Sequence, residues 1–74
     1  MNPSPATLGI FVNDRPRELA EPATVLGLLS DLGLSDRKGV AAAVNGEVVP
    51  RSSWPSRRLS ERDRVLVIRA TQGG

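Results

Sequence analysis

The last two residues of the sequence, Gly73 and Gly74, have the types and spacing that could take part in chemistry. Glycine has no Cβ, so two in succession form a slim and flexible thread. Such a thread can enter a narrow channel and bring a terminal carboxylate into the active site of another protein. There a carboxylate oxygen can attack the α-phosphate of ATP and form an acyl-adenylate. Two glycines also fit a chain end without function, so this pair needs support from the rest of the chain.

The remaining residues lack the parts of an ordinary active site. The sequence has no cysteine and no histidine, which excludes thiolate metal sites, cysteine nucleophiles and the usual general base near neutral pH. Ser52 and Ser53 have no base to activate them, and the only lysine, Lys38, lies in a polar stretch. Among the acidic residues, Glu61 and Asp63 are close in a predicted turn, which is too few oxygen ligands for a hard metal ion. We therefore expect a protein that is not an enzyme and that binds no cofactor or metal itself.

The size and charge of the chain restrict the remaining classes of protein. The 74 residues suffice for one small domain, and ten basic against eight acidic residues give a net charge of +2. That charge is weak for a nucleic-acid binder, because such binding scales with the phosphates neutralised. Arg57 and Arg58 beside Trp54 could still contact nucleic acid, so a small binding module stays as an alternative. No apolar run is long enough for a membrane span and the first seven residues do not resemble a signal peptide, so we expect a cytoplasmic protein.

Hydrophobic periodicity predicts several strands. Alternating apolar residues indicate a strand over residues 8–12 and a return strand over 15–19. Residues 40–50 predict a hairpin around an Asn-Gly turn. Residues 64–70 are apolar on both faces, as is typical of a central strand.

One helix is predicted between the second and third strands. Thr24 is a natural N-cap, and Gly33 followed by Leu34 is typical of a C-terminal cap in which the leucine folds back on the last turn. The residues that share one face of this helix are Val25, Leu28, Leu29 and Leu32. The element order predicts an α+β fold with a mixed sheet of four or five strands and one helix across it. We assign residues 1–7 to a flexible lead-in, 8–70 to the domain and 71–74 to a flexible tail.

Several short segments along the chain match a known pattern. They are Val12-Asn13, Arg17-Glu18-Leu19, Thr24-Val25, Leu28-Leu29, Leu32-Gly33-Leu34, the stretch from Val44 to Arg51 with Trp54, Asp63-Arg64-Val65 and Gly73-Gly74. In these residues the chain resembles the ubiquitin-like sulfur carriers of β-grasp fold, and most of all the ThiS type of thiamine biosynthesis. The resemblance covers nearly all of residues 8–74, and the stretch from Asn45 to Trp54 is its most diagnostic part.

The chain departs from this family in the turn before the last strand. The family usually has a glycine there, in an Asp-Gly-Asp setting, whereas this chain has Ser60-Glu61-Arg62-Asp63. The seven residues at the start are also additional. These differences affect a turn and a terminus, so they leave the implied function in place.

The resemblance implies partners and a role for the end of the chain. A ThiF-type adenylyltransferase would bind ATP and Mg²⁺ and adenylate the carboxylate of Gly74, with Gly73 in the channel. Sulfur from a cysteine-desulfurase route would displace AMP and leave a thiocarboxylate, which a ThiG-type thiazole synthase would use for the thiazole ring of thiamine. The protein alone would be a monomer that binds neither nucleic acid nor a membrane.

Two related functions remain as alternatives. Small subunits of molybdopterin synthase share the fold and the tail, although their usual pattern before the tail is not visible here. A ubiquitin-like modifier would have the same terminus and would be joined to lysines of target proteins, which would produce adducts of high mass.

Strand alternation also predicts a surface for these partners. With the helix on one face of the sheet, Val65 and Val67 should point inward, and Leu66 and Ile68 outward. Phe11 has the same outward phase. These three residues, Phe11, Leu66 and Ile68, would form an apolar patch beside the tail, unless the segment around Trp54 covers some of them. Arg51 and Arg69 would add electrostatic steering.

Overall fold

The computed structural model describes residues 6–70, which form five strands and one α-helix. These elements confirm the predicted α+β fold with a mixed sheet. A short 3₁₀ helix at Arg51–Ser53 follows the fourth strand. In chain order the elements are β1 (Thr7–Val12), β2 (Arg15–Ala20), α1 (Val25–Asp31), β3 (Val40–Val44), β4 (Glu47–Val49) and β5 (Arg64–Arg69).

The last strand, β5, lies at the centre of the sheet. The strand order is β2-β1-β5-β3-β4. β5 runs parallel to β1, where Val12 lies opposite Val65, and antiparallel to β3, where Val44 lies opposite the same residue. Two parallel neighbours cannot be joined by a tight turn, so the chain between β1 and β5 must cross the sheet. That crossing includes α1.

The ends of α1 are set by its own sequence. Thr24 is the N-cap, and its Oγ1 accepts a hydrogen bond from the backbone N–H of Gly27 at 3.1 Å. At the other end Gly33 has φ +73°, a conformation that glycine adopts without strain. The N–H of Leu34 donates to the carbonyl of Leu29 at 2.8 Å, and that of Gly33 to Ser30 at 3.0 Å. These two bonds form a Schellman motif, which confirms both predicted caps.

One hydrophobic core lies between α1 and the inner face of the sheet. Val25, Leu28 and Leu29 of the helix are fully buried. They belong to a single cluster with apolar residues of all five strands, which are Leu8, Ile10, Leu19, Ala42, Val44, Val49, Val65 and Val67. The helix therefore protects one face of the sheet, and the other face has no such cover in residues 6–70.

The irregular segment after β4 is held by its aromatic residue. Trp54 is only 1% exposed, and its indole N–H donates to the carbonyl of Val49 at 3.0 Å. The carbonyl of Trp54 accepts from the N–H of Leu26 at 3.0 Å, which links the segment to the first turn of α1. Leu59 is buried in the same hydrophobic cluster as Trp54. The prediction that Trp54 and Leu59 pin this segment to the core is confirmed.

Two asparagine side chains clamp β5, and we call them the Asn13 clamp and the Asn45 clamp. Asn13 Oδ1 accepts from the N–H of Val67 at 2.8 Å, and its Nδ2 donates to the Val67 carbonyl at 3.2 Å. Asn45 Oδ1 accepts from the N–H of Arg64 at 2.9 Å, and its Nδ2 donates to Asp63 Oδ1 at 3.0 Å. Each asparagine lies where a hairpin turns away from β5, and its side chain provides hydrogen bonds that a neighbouring strand would otherwise make.

The start of β1 differs from the prediction by one residue. Thr7, which we assigned to the lead-in, lies in β1 opposite Ala20, and the Ala6 carbonyl accepts from the N–H of Glu21 at 2.9 Å. Backbone pairing rather than side-chain alternation extends the strand here, which is why the apolar pattern missed it. Residues 1–5 and the predicted tail 71–74 lie outside the described residues.

The turn before β5 keeps a glycine-like conformation without glycine. Arg62 has φ +68°, in the left-handed region, at the position where the resembled family has glycine. Its N–H still donates to the Gly9 carbonyl at 2.6 Å, and Glu61 Oε1 accepts from the Gly9 N–H at 2.8 Å. The departure in sequence therefore leaves a turn that still bonds to β1.

The Asn13 clamp predicts a loss of stability in Asn13→Gly. Glycine tolerates the φ of +51° at this position, so the substitution removes the two side-chain bonds to Val67 without adding backbone strain. We expect the free energy of unfolding in urea to fall by about 1–3 kcal/mol. Asp14→Gly, at a neighbouring residue with φ +68°, is the matched control and should leave stability unchanged or raise it slightly. An equal effect of the two substitutions would contradict the clamp.

The turn at Arg62 predicts the opposite effect for Arg62→Gly. A residue with a Cβ is strained at φ +68°, and glycine is not, so the free energy of unfolding should rise by about 0.5–1 kcal/mol. Arg62→Ala also removes the charged side chain but keeps the Cβ, and it should give no such gain. Thermal unfolding of the three proteins followed by circular dichroism measures both differences.

Candidate functional site

The predicted carrier residues, Gly73 and Gly74, lie outside the described residues. The structure describes the chain up to Ala70, directly after β5. The N–H of Ala70 donates to the Gly39 carbonyl at 2.7 Å, so the chain is held up to this point. The tail is thus attached to the central strand of the sheet, and the described site consists of the surfaces around the end of β5.

The outer face of the sheet carries the predicted apolar patch. Phe11 is 38% exposed, Leu66 50% and Ile68 53%, whereas Val65 and Val67 are buried under the helix. The predicted alternation of β5 is therefore confirmed, and the segment around Trp54 does not cover the patch. The central position of β5 is also confirmed, although only one of its apolar faces is buried.

Small neighbours leave these side chains prominent. Ala43 lies opposite Leu66, and Ala41 lies opposite Ile68. Residues directly opposite each other on antiparallel strands share a face of the sheet. The short alanine side chains therefore lie beside Leu66 and Ile68, which project further from the sheet. Ala43 also pairs with Val48, which is 71% exposed and extends the patch to the edge strand. Sequence reasoning missed Val48, and the register of the Asn-Gly hairpin was the signal that could have placed it on this face.

A shallow hollow lies within the patch. Its volume is about 150 Å³, and Phe11, Ala43 and Leu66 contribute to its walls. Exposed apolar groups that adjoin across strands mark a surface that a protein partner can cover. The patch is therefore an exposed apolar surface that runs along β5, from Phe11 beside the start of the strand to Ile68 near its end.

Arg51, predicted to steer partners, is bonded within the protein. Its Nη1 donates to the Ser35 carbonyl at 2.9 Å and its Nη2 to the Arg37 carbonyl at 2.5 Å. Its Cζ lies 4.5 Å from the centre of the Trp54 ring, in the geometry of a cation–π contact. These contacts tie the loop after α1 to the 3₁₀ helix. They give Arg51 a structural role, while contact with a partner stays a prediction.

Arg69 lies on the opposite face from the patch. It follows Val65 and Val67 in the inward phase of β5, and it lines a groove with Arg15 and Arg17 of β2. Sequence reasoning predicted Arg69 as a steering residue but did not associate it with the other two arginines. Their proximity depends on β2 and β5 both flanking β1.

The described residues contain no candidate metal centre. Within residues 6–70 no group of three or more potential ligand side chains could hold a metal ion. Asp63 is buried, but both its oxygens are used, since Oδ2 accepts from the Ser60 N–H at 2.8 Å and Oδ1 from Asn45. In the same part of the chain, no helix is both long and apolar enough to span a membrane.

A comparison with models of protein families decides which family this chain belongs to. The model of the ThiS family matches residues 10–74, which include the second half of β1, the other four strands, the helix and both terminal glycines. The chain belongs to the ThiS family. The resemblance carried by the short segments is thereby confirmed.

Known proteins agree with membership of the ThiS family. The sulfur carrier protein ThiS of Escherichia coli (strain K12) is 32% identical over 65 residues, which cover 88% of this chain and 97% of that protein. The crystal structure of thiamine biosynthesis protein ThiS from Geobacter metallireducens is 29% identical, with a TM-score of 0.75 over 90% of this chain and 100% of that one. The five-stranded sheet with one helix is therefore the β-grasp fold of ThiS.

A larger protein also contains a segment like this ThiS-family chain. The thiazole synthase of Paramagnetospirillum magneticum is 32% identical over 65 residues, which are 88% of this chain but only 20% of that protein. The similarity thus concerns one fifth of the synthase.

If the patch binds the ThiF-type enzyme that the resemblance implies, an acidic residue in it will weaken that binding. Leu66→Asp and Ile68→Asp place a charge where an apolar surface would be covered, and we expect the Kd to rise at least about tenfold in each. Leu26→Asp is the matched control, since Leu26 is exposed on α1, away from the patch. Surface plasmon resonance gives the Kd values, and circular dichroism verifies folding. Folded patch variants with the affinity of the control would exclude this surface.

Proposed function

We propose that this chain is a sulfur carrier of thiamine biosynthesis and that the carboxylate of Gly74 carries the sulfur. The observation that carries this proposal is the ThiS family match, which extends to residue 74. The similarity to the Escherichia coli carrier supports the same function, because 97% of that protein has a counterpart in this chain.

The chemistry of this proposal requires only a terminal carboxylate from the carrier. A carboxylate oxygen of Gly74 attacks the α-phosphorus of ATP, and pyrophosphate leaves. A persulfide sulfur, supplied by a cysteine-desulfurase route, then attacks the acyl carbon and displaces AMP. A thiol reductant then attacks the donor's cysteine sulfur in the resulting acyl disulfide, which forms a new disulfide on the donor and releases the thiocarboxylate of Gly74. The activating ThiF-type enzyme supplies ATP, Mg²⁺ and any general base.

The composition of the chain supports this division of tasks. The sequence has neither cysteine nor histidine, so the carrier has no thiol of its own that could compete for the sulfur. Within residues 6–70 there is also no cluster of metal ligands that could replace the Mg²⁺ of a partner. The described part of the chain contributes a rigid body and a docking face.

We propose a thiazole synthase as the recipient of the sulfur. The support is the synthase of Paramagnetospirillum magneticum, one fifth of which is similar to this chain. A carrier-like segment within a synthase is held close to that enzyme. A separate carrier must instead bind its synthase, and the exposed face around Leu66 and Ile68 is available for that.

Intact mass spectrometry tests the proposed function. The protein is incubated with ATP, Mg²⁺, a sulfur donor and a ThiF-type enzyme whose activity is shown on another carrier. We expect a mass gain equal to the exchange of one oxygen for sulfur, located at Gly74. An unchanged mass would contradict the function, and covalent adducts of high mass in cells would indicate a ubiquitin-like modifier.

If the activating enzyme takes up the tail through a narrow channel, Gly74→Val will block thiolation. A β-branched side chain next to the reacting carboxylate should obstruct its entry and lower the rate by about 100-fold or more. Thr71→Val is the matched control, because threonine and valine have nearly the same shape, and its rate should be close to that of the wild type. Thiolation of Gly74→Val at the wild-type rate would show that the channel tolerates a side chain.

A further inference from the structure

Three arginines line a groove on the inner face of the sheet, and we call it the arginine groove. Arg15 and Arg17 come from β2 and Arg69 from β5. The groove has a volume of about 430 Å³, which lies in the range of ligand-binding clefts. Its apolar walls are formed by Val12, Leu32, Leu34 and Val67, with Asn13 and Pro16 beside them.

The groove exists because the helix is shorter than the strands it covers. The seven residues of α1 span about 10 Å, whereas six-residue strands such as β1 and β5 span about 20 Å. The inner face of the sheet therefore continues past the Gly33 cap. There the inward positions are occupied by arginines instead of aliphatic residues.

The charge of the arginine groove is uncompensated by its own walls. None of the residues that line it is acidic. Arg17 Nε is buried and has no hydrogen-bond partner among residues 6–70. A buried donor without a partner is unfavourable, and an anionic oxygen that reaches it would provide the missing hydrogen bond. The groove thus has the chemistry to bind carboxylate or phosphate groups.

The spacing of the arginines favours an extended ligand over a single anion. β2 and β5 are separated by β1, and Arg15 is level with Val65, which lies four residues before Arg69. The Cα atoms of Arg15 and Arg69 are therefore about 16 Å apart. The surface between them is apolar, at Val12 and Val67. A peptide segment with an apolar residue between two acidic ones matches this pattern of charge and apolar surface.

The position of the groove indicates which protein would supply that segment. Ile68 and Arg69 are consecutive residues at the end of β5, one in the outer patch and the other in the groove. A protein that receives the chain beyond Ala70 must surround this end of the strand and so meets both surfaces. We propose that the arginine groove docks an acidic segment of the activating enzyme. This proposal rests on the proposed function, since it assumes that the enzyme takes up the tail.

Steady-state kinetics of a charge-reversed groove tests the proposal. The variant is Arg15→Glu/Arg69→Glu, both at exposed positions, and the reaction is pyrophosphate release by the ThiF-type enzyme with wild-type or variant carrier as substrate. We expect KM for the carrier to rise about tenfold or more, with kcat within about twofold of wild type. Added salt should raise KM for the wild type and have less effect on the variant.

The matched control has the same net charge. Arg58→Glu/Arg62→Glu reverses two exposed arginines outside the groove, and like the groove variant it changes the net charge from +2 to −2, since each reversal subtracts two. A control KM within about threefold of wild type, beside a large rise in the groove variant, supports local docking. Equal KM values for the two variants would overturn docking at the groove but would leave the proposed carrier function intact. Absence of turnover with the wild type would overturn both.

Two further measurements complete the test. If melting by circular dichroism shows that the groove variant is unfolded, Arg15→Gln/Arg69→Gln replaces it. A KM increase of about threefold then supports the proposal and an unchanged KM overturns it. Calorimetric titration of the wild-type carrier with pyrophosphate tests whether the groove binds phosphate groups instead of peptide carboxylates. No heat at about 1 mM supports a peptide ligand, and saturable heat that the groove variant loses would assign the groove to phosphate.

Discussion

The central strand β5 depends on two asparagine side chains, and the rest of the molecule depends on β5. The Asn13 clamp bonds the N–H and carbonyl of Val67, and the Asn45 clamp bonds Arg64 and the buried Asp63. Without them, each hairpin would leave backbone groups of β5 unpaired where it turns away, and unpaired groups in a buried strand are costly. The clamps thus hold the strand that ends at the tail.

The two faces of β5 serve different purposes because one short helix cannot cover the whole sheet. Under α1 the strand contributes Val65 and Val67 to the core. On the uncovered face Leu66 and Ile68 are exposed beside small alanines, and past the end of the helix Arg69 lines the arginine groove. A domain of this size buries only part of its apolar surface, which leaves apolar side chains exposed on one face of β5. The cationic character of the other face comes from the arginines that line the groove.

Local features of the sequence predicted much of the fold. Thr24 and Gly33 bounded the helix correctly because capping depends on residues within one turn. The Asn-Gly pair located the second hairpin for the same reason, since its φ values are positive at both positions. The outward phase of Leu66 and Ile68 was predictable because alternation along a strand is geometric. The arginine groove was not, because it requires knowing that β2 and β5 are both neighbours of β1.

The sequence by itself determined the family, the ends of the helix, the two hairpins and a terminus that could react, because each of these depends on residues close together in the chain. The tertiary structure decided what distant residues do. In it Arg51 donates to the Ser35 carbonyl and lies over the Trp54 ring, and the turn residue Asn13 is hydrogen-bonded to β5. It also placed Arg69 in the same groove as Arg15, which is far away in the chain. The physical reason is that contacts between strands are set by sheet order, which no local pattern encodes.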